Sequence, residues 1–154
     1  MKRAFTLIEL IFVIVIIGIL SIIALPRLNA TRTDAKVSVI LANLKQVTID
    51  SASFYSARGE IEWTNAKVEN VTDVPLFKDT DCKNQAININ MVGNRLYICD
   101  DDKSVVKIDA NRTHIQINKG DSSSLIANSV YNSKVFKALN IPNGIRLGGV
   151  NVKK

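Results

Sequence analysis

A single histidine and two cysteines among 154 residues leave little material for metal or nucleophile chemistry. Cys82, Cys99 and His114 are too few and too scattered for the four nitrogen and sulfur ligands of a structural zinc site. No Gly-x-Ser-x-Gly elbow, phosphate loop or paired metal-ligand motif is present, so no catalytic constellation can be assembled. His114 follows Thr113 in a strand-like stretch and reads as a hydrogen-bonded or solvent-facing side chain. Asp100-Asp101-Asp102 lacks the alternating Asp-x-Asp-x-Asp-Gly order of a calcium loop and reads as a solvated turn. Internal repeats and low-complexity tracts are also missing. We therefore expect no enzyme, no metal and no cofactor.

What the chain does have lies first in residues 1–26. A basic start, Met1-Lys2-Arg3-Ala4, leads into an almost unbroken apolar run from Phe5 to Leu25, closed by Pro26. As a helix the run reaches ~32 Å at about 1.5 Å per residue, against a hydrocarbon core of ~30 Å. Lys2 and Arg3 place the N-terminus in the cytoplasm by the positive-inside rule, so everything beyond the span is exported. One acid, Glu9, interrupts the run. A charge in hydrocarbon costs on the order of 2.5–3.5 kcal/mol even on the lenient insertion scale, so Glu9 needs a partner or a task. Locally, Thr6-Leu7-Ile8-Glu9 fits a capping box, in which Glu9 reaches back to a backbone N–H. A cleaved secretory signal ending near Leu28-Asn29-Ala30 is the rival reading. Glu9 inside the apolar region and Arg27 beside the site argue against it. A plain membrane anchor fits the length but leaves Phe5-Thr6-Leu7-Ile8-Glu9 unexplained.

Ala4-Phe5-Thr6-Leu7-Ile8-Glu9, followed by apolar residues, Gly18 and Pro26, resembles the N-terminus of the type IV pilin and pseudopilin superfamily. The resemblance covers about residues 1–58. It implies that a prepilin peptidase cuts between Ala4 and Phe5 and that Phe5 is then N-methylated. The family usually has Gly before the cut, and Ala4 departs from that pattern; alanine is small enough for processing to survive. The resemblance further implies that Glu9 neutralises the new Phe5 amine of a neighbouring subunit during assembly. A misplaced subunit would leave two unpaired buried charges, which makes such a pair a register device. Gly18 and Pro26 are the helix-weakening residues of the run, costing ~1 and ~3 kcal/mol relative to alanine. Pro26 marks either the membrane exit or a kink, and in the family the interval between such residues can melt on assembly. The implied partners are other pilin or pseudopilin subunits, prepilin peptidase, an inner-membrane assembly platform and membrane lipid.

Past Pro26 the apolar spacing becomes helical on one face: Val37, Ile40, Leu44, Val47 and Phe54, with Lys36, Asn43, Lys45 and Asp50 elsewhere. One helix from about Phe5 to Arg58 is predicted, ~80 Å long if continuous, with Gly59 as its C-cap. Residues 60–81, with Trp63, Pro75 and Phe77, show no sustained period. Strand-like alternation follows at Ile87–Met91, Leu96–Cys99, Val106–Ile108 and Ile115–Ile117, separated by turns. These predict an antiparallel meander with one face on the amphipathic half of the long helix. A second helix is expected over Ser122–Leu139, capped by Ser122 or Ser123, with Ile126, Val130, Val135 and Leu139 inward. A last strand is expected over Ile145–Val152. The fold class is thus α+β and pilin-like: leader 1–4, membrane-spanning half-helix 5–25, amphipathic half-helix 26–58, and an exported head 59–154.

The two cysteines fall in that small exported head, where oxidation is permitted. A Cys82–Cys99 disulfide is expected in preference to two free buried thiols. Closing a loop of about 16 residues is worth ~3 kcal/mol in the chain-entropy picture. Charge leaves one functional fork. Of a net +6, Lys134, Lys137, Arg146, Lys153 and Lys154 gather near the C-terminus with no acid among them. They form either a solvated face or a patch for DNA phosphates. No aromatic interleaving accompanies them beyond Tyr131 and Phe136. The reading that combines these features is a filament subunit of the bacterial inner membrane. It would serve type II protein secretion or DNA uptake, with a DNA-binding minor pilin of a natural-transformation machine or an adhesive or motility pilus subunit as alternatives. Major or minor rank stays open.

Overall fold

A computed structural model describes residues 6–148, without the side chains of 23–29. Its element order is α1 (Leu7–Asn65), α2 (Val68–Val71), β1 (Arg95–Asp100), β2 (Lys103–Ala110), β3 (His114–Lys119), α3 (Leu125–Asn132), α4 (Lys134–Leu139) and β4 (Ile145–Arg146). A long N-terminal helix followed by an antiparallel sheet of order β1-β2-β3-β4 is the α+β architecture expected. The chain divides into two compact units, Met1–Ala35 and Lys36–Lys154.

Within the second unit, the helical spacing works as written. Ile40, Leu44 and Val47 are buried, and Val37, Leu41 and Phe54 pack partly against the same core. The sheet contributes Leu96, Ile98, Val106, Ile108, Ile115 and Ile117. Alternation places these inward while Lys107 and Asp109 on β2 stay partly exposed, as a one-faced antiparallel sheet requires. A register shift between Ile98 and Cys99 pairs Ile98 with Val106 but Cys99 with Ser104. Ser104, Val105 and Val106 are consequently all buried, a run that simple alternation forbids.

Gly59 is where regular helical geometry breaks, at φ 79° and ψ −179°. Glycine takes that left-handed φ without the cost a Cβ brings. Helix nevertheless resumes to Asn65 rather than stopping at Arg58, and this extra turn carries Trp63 into the core. Its ring is fully buried against Phe54 and Tyr55, and its indole N–H donates to the Asn111 carbonyl at 2.8 Å.

Three expected elements are corrected. Ile87–Met91 is not a strand: Asn88 sits at φ 59°, which breaks the pleat. The segment instead hydrogen-bonds around α2, with Val68 N–H donating to Ile89 and Met91 N–H to Ala66, both at 2.9 Å. The Ser122–Leu139 helix is two helices. Ser124, not Ser122 or Ser123, caps α3 through the Ala127 N–H, and Ser133, extended at φ −65° and ψ 148°, caps α4 through the Phe136 N–H. A serine oxygen that accepts from the backbone three residues on starts a helix rather than continuing one. Val130 is buried as expected and Ile126 and Leu139 pack partly buried against the core, while Val135 is only partly buried and Ala127 and Phe136 join the buried set. The last strand is short, Ile145–Arg146, and residues 149–154 lie outside the described residues.

Candidate functional site

The start of α1 builds its own cap. Glu9 Oε2 accepts from the Thr6 backbone N–H at 2.8 Å and from Thr6 Oγ1 at 2.7 Å, while Glu9 N–H donates weakly to Thr6 Oγ1 at 3.4 Å. Two backbone donors of the first turn are thereby satisfied, which is the reciprocal logic of the capping box. Around and beyond Glu9 the apolar residues are exposed in the single chain, among them Leu7 at 78%, Phe12 at 66% and Ile22 at 73%. Gly18 has open space around it: a Cβ placed there would meet nothing within 4 Å. Nothing among the described residues demands a small residue at that position. Ala4 and Phe5 lie outside the described residues, as does the side chain of Pro26. Among the described residues no helix is long and apolar enough to cross a membrane. Described side chains of the apolar run stop at Ile22 and resume at Ala30, so the span expected over 5–25 is covered only in part.

In the second unit, Cys82 and Cys99 are joined as a disulfide with Cα atoms 6.1 Å apart. Asp100 ends β1 and Asp101 turns the chain at φ 50°. Both carboxylates engage Lys36 of α1, at 2.9 Å from Asp100 Oδ1 and 2.7 Å from Asp101 Oδ2. These bonds, Asp101's first, hold the Lys36 ammonium above its ordinary range. Sequence reading missed this clamp, because nothing in local spacing links positions 65 apart. No group of three or more His, Cys, Asp or Glu among the described residues could hold a metal ion. His114 opens β3, its Nδ1 2.7 Å from Thr113 Oγ1. Of the basic C-terminal set, Lys134 and Lys137 are exposed on α4 and Arg146 is exposed on β4. Lys153 and Lys154 lie outside the described residues.

A cleft of about 470 Å³ opens between α1 and α2 with the segment that follows it. Its lining includes Asn43, Gln46, Asp50, Glu69 and Asp73, without histidine, cysteine, lysine or arginine. Asp50 already accepts from Thr72 Oγ1 at 2.6 Å and from Gln46 Nε2 at 2.7 Å.

Residues 1–25 match the family model described as the prokaryotic N-terminal methylation motif, which is the prepilin-type cleavage signal. No curated protein and no solved structure matches the chain. The motif supports a type IV pilin-like subunit, and it ends well before the head begins.

Proposed function

We propose that this chain is a structural subunit of a type IV pilus-related filament or pseudopilus, held in the inner membrane until it is assembled. The observation that carries the reading is the coincidence of the methylation motif with an uncovered apolar helix surface over 7–22. Large exposed apolar surface marks a site that lipid or another protein covers, and a filament subunit needs both in turn. Prepilin peptidase would cut between Ala4 and Phe5, and Phe5 would be methylated. Glu9 would then exchange its Thr6 donors for the Phe5 amine of a neighbouring subunit. Gly18, with nothing packed against it, and Pro26 would let the helix adjust as it enters the filament. Type II protein secretion or DNA uptake is the service we assign, with adhesion or motility as alternatives.

Mass analysis of the mature N-terminus tests the processing directly. Methylated Phe5 is the expected result; an intact Met1, or a start at Thr31, overturns it. Glu9→Ala should be processed normally yet fail to enter filaments. Normal filaments from that variant would remove the intersubunit role.

A DNA-binding minor pilin is the second reading, favoured by the exposure of Lys134, Lys137 and Arg146. Phosphate contacts of this kind weaken steeply with salt. The purified protein should then shift DNA at low salt, and neutralising those three together with Lys153 and Lys154 should abolish the shift. Absence of any shift at low salt eliminates this reading.

A further inference from the structure

Leu76 to Ala86 folds back on itself as a small strap. Ala86 N–H donates to the Leu76 carbonyl at 2.7 Å and Lys78 N–H to Asn84 at 3.1 Å. The two feet are secured independently of the tip. Leu76 and Ala86 belong to the hydrophobic core, and Phe77 exchanges both backbone hydrogen bonds with Tyr97 of β1, at 2.9 and 2.8 Å. Between the feet, the tip reads Lys78-Asp79-Thr80-Asp81-Cys82-Lys83-Asn84, and only Cys82 of these is buried. No apolar side chain other than Cys82 holds the tip down. Its attachments to the β1–β2 hairpin are the Cys82–Cys99 bond and one backbone bond, Ser104 N–H to the Thr80 carbonyl at 3.0 Å.

Two further features single out this clasp. Cys82 sits at φ 58°, a left-handed backbone that costs a non-glycine residue energy and persists only while its surroundings hold it. Thr80 and Asp81 of the tip form one wall of an open groove of about 290 Å³, whose other walls include Asp102, Ser104 and Asp121. The tip's position therefore decides the shape and charge of that part of the head.

We propose that the Cys82–Cys99 disulfide is a redox clasp: its reduction frees the strap tip, 78–84, from the β1–β2 hairpin and opens the groove while the sheet stays folded. A dithiol reductant would supply the two electrons and two protons. One of its thiolates attacks a cysteine sulfur to give a mixed disulfide. Its second thiol then displaces the protein, leaving Cys82 and Cys99 as thiols and the reductant as a cyclic disulfide. The inference is independent of the filament reading, because it concerns only the second unit.

Residue-resolved hydrogen exchange on the full chain in detergent micelles, oxidised and dithiothreitol-reduced, decides it. On reduction, protection at the Lys78, Cys82 and Ser104 amides should fall about tenfold or more, as expected for a local opening, while Phe77 and Tyr97 keep theirs. Cys82 on the freed tip should alkylate about tenfold faster than Cys99, which remains in β1. The double variant Cys82→Ser/Cys99→Ser should show the same exchange pattern with no reductant. Unchanged tip protection in the reduced chain would mean that the polar contacts suffice and would overturn the clasp. Loss of protection at Tyr97 along with the tip would overturn it too, by showing that the bond holds the whole head.

Discussion

Between Leu7 and Ile22, α1 leaves large apolar side chains exposed, whereas between Lys36 and Arg58 it sinks Ile40, Leu44 and Val47 into a core with the sheet. Both stretches belong to one helix, but the difference is in the sequence. The first is apolar on every side, so no single partner surface within a small head could cover it. The second sets its buried apolar residues, Ile40, Leu44 and Val47, at steps of three and four and shares its other faces among Lys36, Lys45, Gln46, Asp50 and the exposed Val39 and Ile49. A helix apolar all round belongs in lipid or in the centre of an assembly, and one with a single apolar stripe belongs on its own domain. The stability of the head should therefore depend on the second stretch and be indifferent to the first.

The sharpest way to break this contrast is to truncate one apolar side chain in each stretch. Leu44, with no exposed surface, should cost about 2–5 kcal/mol when replaced by alanine, by lost burial plus the cavity left behind. Ile14, 57% exposed, should change denaturant unfolding of the head by less than about 0.5 kcal/mol on the same replacement. Equal losses would show that residues near Ile14 belong to the head after all.

The same contrast explains what the sequence disclosed. Periodicity and composition are local, so they found the amphipathic stripe, the apolar run, β2 and β3, and a capping box whose two members lie three residues apart. They found Leu96–Cys99 within β1 as well, and failed where a single backbone angle or a distant contact decided the outcome. Ile87–Met91 alternates well, yet Asn88 turns the chain out of the pleat. Ser133 looks like any helical serine until its hydroxyl is seen to accept from Phe136 N–H and restart the helix. Trp63 fell in a stretch with no period, although the chain's one tryptophan, four residues past the glycine that breaks the helix, was a signal that something there must be buried. The candidate site divides the same way. Glu9 and its cap were legible, while the strap over β1 depends on Phe77 meeting Tyr97 across an intervening loop.

A smaller effect, of opposite sign, lies on the buried face of the second stretch. Ser51 is fully buried and its hydroxyl has no hydrogen-bond partner among the described residues. An unsatisfied buried hydroxyl costs about 1–3 kcal/mol, and alanine removes it while leaving helix propensity better served. Ser51→Ala should raise the unfolding free energy of the head by about 1 kcal/mol. A loss of stability instead would mean that Ser51 finds a partner in solution, and the stripe would then be less uniformly apolar than its neighbours suggest.

The smallest expected effect lies at Lys36, where the stretch that serves the head begins. Its ammonium binds Asp101 and Asp100, which raises its affinity for the proton above the ordinary value of 10.5. A raised folded value means that the stabilisation is fully present below the unfolded value and is lost as pH rises through the folded one. Below pH 10.5, as long as both carboxylates stay ionised, the clamp should thus be intact, and at more alkaline pH the wild-type head should lose stability faster than Lys36→Met. The Lys36 and Asp101 side chains are 43% and 79% exposed, so solvent and salt screen the pair, and the difference between the two proteins should shrink in molar salt. Parallel alkaline profiles would show that Lys36 does not hold the helix to the hairpin. Val37, packed partly against the core, would then be the first residue of α1 that the head secures, and the boundary between the two stretches would rest on apolar contact alone.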